Sequence, residues 1–435
     1  MKPDKQKLQQ ILSYINTKKY DLALLQTTTL LKQFPNSGDL LNLRGVALAR
    51  LGRIDKAIES FQHSIRVNPE NALTYYNLAN AQKEKGLAGD AISSYKTALK
   101  YKPDYVHAIR NIANIYLEQG DISNAFSHFE KALKIEPDFA DGIFTLIQAL
   151  TTHRPMSSNR NPIILADRKI RETYLKLSAS ERCKLETMKG FIRKCLSIIN
   201  QTNLLRLNFP KTQIFRTNVI APDCDRHMSL FENENIISEF CFGCFKVQVE
   251  PVNVIDLIRL HFLFDEIVLS NNNSRKCMIE TRPDVKGFYK GLIYCNSLDE
   301  ATAISHHLDS LLAEKISPEL KSAVKRGCSE YAFSYPEFAE LQATQDKMMP
   351  FNEDWRAIET SFDAGRFNTA PPKRHESLVG ICLHDMLVIS NWLGYAKEIG
   401  DASANTIGND ISCPSFVKSM IIARSAFTYP VTSRT

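Results

Sequence analysis

The chain has 435 residues, of which 44% are hydrophobic and 23% are charged; this length and composition predict two or three globular domains rather than one core. The formal net charge of +6 is too small to indicate nucleic-acid binding by itself. No apolar run is long enough for a signal peptide core or a membrane span, so we expect a cytoplasmic protein without a membrane-spanning helix.

A fixed period occupies the first third of the chain. Prolines and alanines recur at intervals of 34 residues, at Pro35, Pro69, Pro103 and Pro137 and at Ala23, Ala57, Ala91 and Ala125. Such a period indicates a solenoid whose units bury their apolar faces by stacking on each other. Within each unit, apolar residues at helical spacing predict two amphipathic helices.

The order of large, small, aromatic and proline residues in these units resembles the tetratricopeptide repeat family. The resemblance covers a degenerate unit at 3–36 and clear units at 38–71, 72–105 and 106–139. A following apolar segment is similar to the helix that caps such arrays. We therefore predict an α-helical solenoid over residues 1–150.

Two pairs of asparagines recur one period apart in this solenoid. They are Asn77 with Asn111, and Asn80 with Asn114. The resemblance places them on the concave face, where side-chain amides can hold a peptide backbone without reading its sequence. The alternative is that asparagine is simply tolerated at exposed inner positions.

The same comparison argues against one class of ligand. Repeats that clamp the C-terminal carboxylate of a chaperone need lysine and arginine beside these asparagines. The corresponding positions carry Tyr76, Asp141 and Thr145, and Arg110 alone would be a weak anion site. We therefore expect a protein or peptide partner other than a chaperone tail.

The pattern changes after the repeats. Residues 151–222 are predicted as a helical connector, with helices at 162–177 and 179–199 and Ser178 as the cap of the second. Residues 223–345 are predicted as an α+β domain with a capped helix starting at Ser297, and 346–435 as a mainly helical segment. In that segment we expect His384 and Asp385 to make surface and cap contacts.

All ten cysteines lie between Cys183 and Cys413, and a reducing compartment would keep them as thiols or thiolate ligands. Four potential ligands fall in two short pairs separated by 13 residues, namely Cys224, His227, Cys241 and Cys244. This spacing allows a tetrahedral zinc site. The alternatives are unliganded core residues and a redox pair, although a redox thiol needs a helix N-terminus and Cys244 instead leads into a strand.

A basic cluster is predicted on neighbouring strands and turns. Its members are Arg275, Lys276, Arg282, Lys286, Lys290, Lys325 and Arg326. Arg326, Cys328 and Glu330 could hold and act on an anionic ligand, so they are the candidate catalytic residues. The alternative is a solvated sheet face with one core cysteine, and no catalytic motif of a known class is present.

The sequence thus predicts a protein-interaction scaffold that binds a peptide or partner protein through its solenoid, joined to a domain of unassigned activity. An alternative is an enzyme that acts on a protein recruited by the solenoid, or on an anionic ligand, with or without zinc. Nucleic-acid binding by the basic sheet is the least favoured prediction.

Overall fold

The computed structural model describes residues 3–137, 139–155, 159–202, 204–207, 209–218, 224–283, 285–341, 348–366, 376–408, 411 and 413–426. The described residues form two compact units. One contains those between 3 and 146 together with 361–366, and the other contains the remainder. The predicted domain boundaries at 222/223 and 345/346 lie outside the described residues.

Helices α1 to α8 form four pairs, as the period predicts, and α9 follows them as a single helix. Their bounds are α1 (Lys5–Asn16), α2 (Tyr20–Gln33), α3 (Gly38–Arg50), α4 (Ile54–Val67), α5 (Ala72–Glu84), α6 (Ala88–Tyr101), α7 (Val106–Glu118), α8 (Ile122–Ile135) and α9 (Ala140–Ala149). The repeating alanines Ala23, Ala57, Ala91 and Ala125 are fully buried. These small side chains let the paired helices approach closely, so the predicted helical solenoid is confirmed.

The turn between the two helices of each repeat needs a left-handed backbone. Gly52, Gly86 and Gly120 have φ angles of +71°, +83° and +78° at equivalent positions, a conformation that glycine adopts without steric cost. The first repeat has Lys18 at this position, with a φ of +58°. This degenerate repeat therefore has a strained residue where the later repeats have glycine.

Three helices follow the repeats, α10 (Pro162–Leu175), α11 (Ala179–Arg182) and α12 (Leu185–Asn200). The second predicted connector helix is thus divided into a short turn and a long helix. Ser178 does not cap a backbone amide, because its hydroxyl donates to the Glu181 carboxylate at 2.7 Å.

The second unit contains a five-stranded antiparallel sheet of order β1-β3-β4-β2-β5. Its strands are β1 (Gln213–Arg216), β2 (Phe245–Val249), β3 (Arg275–Ile279), β4 (Tyr289–Cys295) and β5 (Ser322–Arg326). With α15 (Val254–Glu266) after β2 and α16 (Leu298–Lys315) after β4, strands β2 to β5 follow the ferredoxin-like β-α-β-β-α-β arrangement. The predicted α+β class is confirmed.

The two faces of the sheet differ. Helices α15 and α16 cover the face that carries Phe245, Val247 and Ile293. The close approach requires Gly291, because a Cβ there would lie 2.3 Å from Leu260 on α15. Strand alternation puts Lys246, Lys276 and Tyr294 on the opposite face.

The remaining helices are α13 (Cys224–Glu234), α14 (Glu239–Phe242), α17 (Trp355–Arg366), α18 (Leu383–Glu398) and α19 (Ser415–Ser425). Most of α18 is buried on every side, so His384 and Asp385 are core residues, exposed by 5% and 0%, and their predicted surface position is wrong. Asp385 does act as a cap, because it accepts from the Cys382 amide at 3.0 Å. Within the described residues, no helix is long and apolar enough to cross a membrane.

Candidate functional site

The solenoid asparagines bond to each other across the first helices of successive units. Asn77 Nδ2 donates to Asn42 Oδ1 at 3.0 Å, which links α5 to α3. Asn111 Nδ2 donates to Asn80 Oδ1 at 3.1 Å and to the Tyr95 hydroxyl at 3.0 Å. Asn111 is 6% exposed, and its amide bonds two residues of the preceding repeat. It therefore orders neighbouring repeats, a role that the sequence did not predict.

Arg110 and Asn114 differ from Asn111 in their surroundings. Arg110 is half-buried and bonds Asp141 Oδ2 at 3.0 Å and Asn111 Oδ1 at 3.2 Å. Its charge is therefore matched by a carboxylate. Asn114 is half-buried, and its side chain makes no hydrogen bond within the described residues.

Aromatic rings lie beside Arg110 on the same part of the solenoid. The ring centroids of Tyr76 and Tyr105 are 4.8 Å apart, and those of His107 and Phe139 are 5.1 Å apart. The Arg110 guanidinium lies 5.9 Å from the Phe139 centroid. Amide, cationic and aromatic groups thus occur together, a combination that can bind both a peptide backbone and an apolar side chain.

A second candidate site lies at the end of β5, where the chain turns at Gly327. This glycine has a φ of +50°, and a Cβ there would lie 2.5 Å from the Phe338 ring. Its amide donates to the Cys244 carbonyl at 2.8 Å. The turn therefore brings the following residue, Cys328, beside the segment that precedes β2.

Four thiols lie near one another at this turn. Cys328 and Cys224, the first residue of α13, share a hydrogen bond between their sulfur atoms. Cys244 and Cys241 are close enough to interact electrostatically with this pair. Cys224, Cys244 and Cys328 are partly buried, whereas Cys241 is buried and its sulfur lies 3.3 Å from the Tyr331 hydroxyl.

Hydrogen bonding, burial and charge act on the pKa values of these thiols. The hydrogen bond with Cys224, with Lys246 and Lys276, lowers the pKa of Cys328, although burial and Glu330 oppose this. Burial, with Lys246 adding to it, lowers the pKa of Lys276 to about 8. By contrast, burial raises the pKa of Cys244 to about 11 and of Cys241 to about 12.

The predicted zinc ligands do not form a tetrahedral set. In the part of the chain that the structure describes, no group of three or more His, Cys, Asp or Glu side chains is arranged to hold a metal ion. Cys224 bonds Cys328 instead, and the His227 ring stacks on Phe240 with centroids 5.2 Å apart. These positions do not fit zinc, and the zinc prediction has no support here.

Of the predicted group, Glu330 lies close enough to Cys328 to affect its pKa, whereas Arg326 is engaged elsewhere. Arg326 lies against Phe338 and Phe242, with centroid distances of 4.6 and 5.2 Å, and donates to the Met349 carbonyl at 3.0 Å. Glu330 pairs with Arg282. Cys328 is thus the member of this group that lies beside other reactive side chains, and no sequence pattern pointed to its partner Cys224.

A buried ionic network holds the second unit together. Arg216 on β1 bonds Asp265 on α15 and Asp385 on α18, and the Tyr174 hydroxyl donates to Asp265 at 3.0 Å. Nearby, Asp167 accepts from the Leu383 amide at 2.9 Å. These groups are fully enclosed, so we assign them to structure rather than to ligand binding.

A cavity of about 670 Å³ lies beside α12 and α18. Two of its polar lining groups are engaged with backbone carbonyls, because Arg193 donates to those of Thr406 and Ile407 and Asn391 donates to those of Phe209 and Lys211. Cys413 also lines the cavity.

Comparison with known proteins identifies the repeats. Residues 32–86 match the model of the TPR repeat, and residues 76–138 match the model of the tetratricopeptide repeat. These residues are therefore tetratricopeptide repeats. Among curated proteins, no match to the chain is found.

Several solved structures are similar to the repeat region. The MamA protein is 22% identical, with 33% of this chain and 78% of that chain covered and a TM-score of 0.30. YrrB, a TPR protein with an unusual peptide-binding site, is 20% identical, with coverage of 31% and 69% and a TM-score of 0.29. TTC0263, a TPR protein of Thermus thermophilus, is 21% identical, with coverage of 33% and 79% and a TM-score of 0.31.

Proposed function

We propose, from the identification of residues 32–138 as tetratricopeptide repeats, that the row of first helices α3, α5 and α7 binds an extended peptide segment of a partner protein. The observation that carries this proposal is the contact of Arg110 with the Phe139 ring, close to the Tyr76–Tyr105 ring pair, on the same helix α7 that carries Asn114. Amide groups would bond the peptide backbone, and the rings would receive an apolar side chain.

The hydrogen bonds among the asparagines refine their roles. Asn77, Asn80 and Asn111 hold the first helices in register, because their amides bond across the units. Asn114 is the asparagine we assign to the peptide. The pairing of Arg110 with Asp141 supports a peptide without a terminal carboxylate, and so supports a partner other than a chaperone tail.

The other functions predicted from the sequence have less support. Nucleic-acid binding needs free cations, yet Lys290 is buried beside Glu280 at 3.1 Å and Arg282 pairs with Glu280 and Glu330. Enzymatic activity around Cys328 has the thiol pair as its one supporting feature. We therefore propose a scaffold, and we keep the cytoplasmic location expected from the pattern of apolar residues in the sequence.

A peptide library tests the scaffold function. The full chain is used to select binders from a phage library of random-sequence peptides, and the selected peptides are measured by titration calorimetry. We expect Arg110→Ala and Asn114→Ala each to weaken binding about fivefold, the effect of losing about 1 kcal/mol of hydrogen bonding. Lys96→Ala and Gln62→Ala, at exposed positions on the second helices α6 and α4, are the matched controls and should leave affinity unchanged.

Two results would overturn the proposal. One is that the full chain selects no peptide. The other is that the Arg110 and Asn114 variants bind the selected peptides as tightly as the wild type, which would remove the first helices as the binding surface.

A further inference from the structure

We propose that the cavity beside α12 and α18 binds a small organic acid that has one carboxylate and an apolar body, such as a medium-chain fatty acid. All of the described lining residues belong to the second unit, so this inference does not depend on peptide binding by the repeats. The cavity volume of about 670 Å³ is typical of sites that enclose small molecules. None of the described lining residues belongs to the thiol group near Gly327 or to the predicted zinc ligands.

Apolar side chains from three parts of the second unit contribute to the cavity wall. They come from α12 and the chain that follows it, from α18, and from the segment that leads to α19. A hydrocarbon body gains free energy against such a wall, whereas a sugar would lose hydrogen bonds to water without replacement. These residues are Leu196, Leu204, Phe209, Leu387, Ile407 and Ile411.

The charge on the cavity wall comes from one guanidinium. Arg193 on α12 is exposed, and its Nε and Nη2 donate to the Ile407 and Thr406 carbonyls at 3.0 and 2.8 Å. Within the described residues, Nη1 makes no hydrogen bond and the side chain pairs with no carboxylate. The positive charge and the remaining N–H groups are therefore available to an anion at the cavity mouth.

Two polar side chains of α18 lie deeper in the cavity. Ser390 and Asn391 both line it, although they are exposed by only 7% and 4%. Asn391 is fixed, because its amide donates to the Phe209 and Lys211 carbonyls at 2.8 Å each. The Ser390 hydroxyl makes no hydrogen bond to any residue that the structure describes. A buried hydroxyl without a partner costs free energy, so the structure leaves the cavity floor open to a ligand instead of filling it with protein.

The distribution of charge selects a singly charged acid over other ligands. Arg193 is the only charged residue among the described lining residues. A phosphate monoester carries about −1.5 to −2 charges near neutral pH, and the second charge would have no facing cation. A cationic ligand would have no facing carboxylate. One carboxylate on Arg193 matches the charge of the site.

Binding would connect segments that are far apart in sequence. Arg193 already joins α12 to the segment before α19 through the Thr406 and Ile407 carbonyls. A ligand that contacts Arg193, Leu387 on α18 and Ile407 would add contacts among these segments. Because it binds only the folded cavity, the ligand would stabilise the second unit by mass action.

Titration calorimetry of the full chain with sodium decanoate tests the proposal. Acetate, which carries the charge without the apolar body, and decan-1-ol, which carries the body without the charge, are measured beside it. We expect one decanoate per chain, bound at least about tenfold more tightly than either comparison ligand. Acetate or decan-1-ol binding as tightly as decanoate would overturn the proposal, as would no binding of decanoate at up to about 1 mM.

Variants separate the two parts of the site. Arg193→Gln should weaken decanoate binding about tenfold, the effect of losing a hydrogen bond to a charged group, and should leave decan-1-ol binding unchanged. Ser390→Leu extends a side chain into the cavity and should weaken both ligands. Lys194→Gln is the control, because Lys194 is exposed on α12 and does not line the cavity, and it should change neither. Decanoate binding that is unaffected in both of the first two variants would contradict the assignment of the site.

Alkylation of the wild-type chain locates the ligand without depending on how the variants fold. Cys413 lines the cavity, whereas Cys224, which is also partly buried, does not. With decanoate at about ten times its dissociation constant, alkylation of Cys413 by N-ethylmaleimide should slow about tenfold, because only the unoccupied cavity reacts. Alkylation of Cys224 should keep its rate, and mass spectrometry follows both residues. An unchanged rate at Cys413 would place the ligand elsewhere and overturn the proposal.

Discussion

Arg216 on β1 and Asp385 on α18 are joined by two hydrogen bonds, from Nη1 to Oδ1 at 3.1 Å and from Nη2 to Oδ2 at 2.7 Å. Burial opposes ionisation of Asp385, but the Arg216 guanidinium overrides it and holds the pKa of this carboxyl well below its usual range. Since Arg216 also bonds Asp265 at 2.9 Å, one buried cation connects the sheet to two helices far apart in sequence.

Removing one partner of this group should strongly destabilise the second unit. We expect Asp385→Asn to lower its free energy of unfolding by about 3–5 kcal/mol, because the buried guanidinium loses a facing charge. Both tryptophans of the chain, Trp355 and Trp392, lie in this unit, so urea unfolding followed by tryptophan fluorescence reports on it. Glu239→Gln, which breaks an exposed pair with Arg356, is the control and should cost less than about 1 kcal/mol. Equal midpoints for the two variants would contradict the prediction.

His261 should make the second unit sensitive to mild acid. It is 2% exposed, and burial, together with the charge of Arg216, lowers its pKa from 6.5 to about 4. Between these two values the unfolded chain binds the extra proton, so stability should fall as pH drops from about 6.5 to about 4, by at most about 3 kcal/mol.

A comparison of two histidine variants isolates the contribution of His261 to the acid sensitivity. His261→Gln should flatten the dependence of the urea midpoint on pH in that window, whereas His306→Gln, on the exposed side of α16, should keep the wild-type slope. A wild-type slope in the His261 variant would show that other groups cause the acid sensitivity.

The helices of the solenoid could be predicted because the relevant information is local. Helical spacing, the recurring alanines and the prolines all lie within one 34-residue unit, so each unit repeats the same evidence. The sheet is different. Its order β1-β3-β4-β2-β5 depends on which strands pair, and short apolar runs carry no signal for partner or register.

The candidate sites also depend on contacts between residues far apart in sequence, which local sequence patterns do not predict. The spacing of Cys224, His227, Cys241 and Cys244 suggested one metal site, but α13 begins at Cys224 and the turn at Gly327 brings Cys328 against it. No local pattern relates two residues 104 positions apart. Asp385 was correctly predicted as a cap, yet its burial depends on Arg216, which comes from a distant strand.

Gly45 should be required for the packing of α3 on α4. A Cβ at this position would lie 2.5 Å from the ring of Phe61, which is 1% exposed and has no room to move. We expect Gly45→Ala to destabilise the repeats by about 1–3 kcal/mol, seen as an earlier thermal transition by far-ultraviolet circular dichroism. Gly89→Ala is the matched control in α6, because a Cβ there meets no atom within 4 Å, and it should be neutral or stabilising by up to about 1 kcal/mol. Identical transitions in the two variants would disprove the close contact.

Replacing Lys18 by glycine should stabilise the repeats, in contrast to the change at Gly45. Its φ of +58° corresponds to the left-handed turn that Gly52, Gly86 and Gly120 make in the later units, and a side chain in this conformation costs about 1–2 kcal/mol. Glycine removes that cost but adds conformational freedom to the unfolded chain, so we expect Lys18→Gly to stabilise the first repeat (residues 3–36) by up to about 1 kcal/mol. Slower hydrogen exchange in α1 and α2, measured by mass spectrometry on the full chain, would show it. Lys19→Gly is the control, since Lys19 has an ordinary φ of −87° and glycine there should leave exchange unchanged or make it faster. Faster exchange in the Lys18 variant would mean that the lysine turn is not strained.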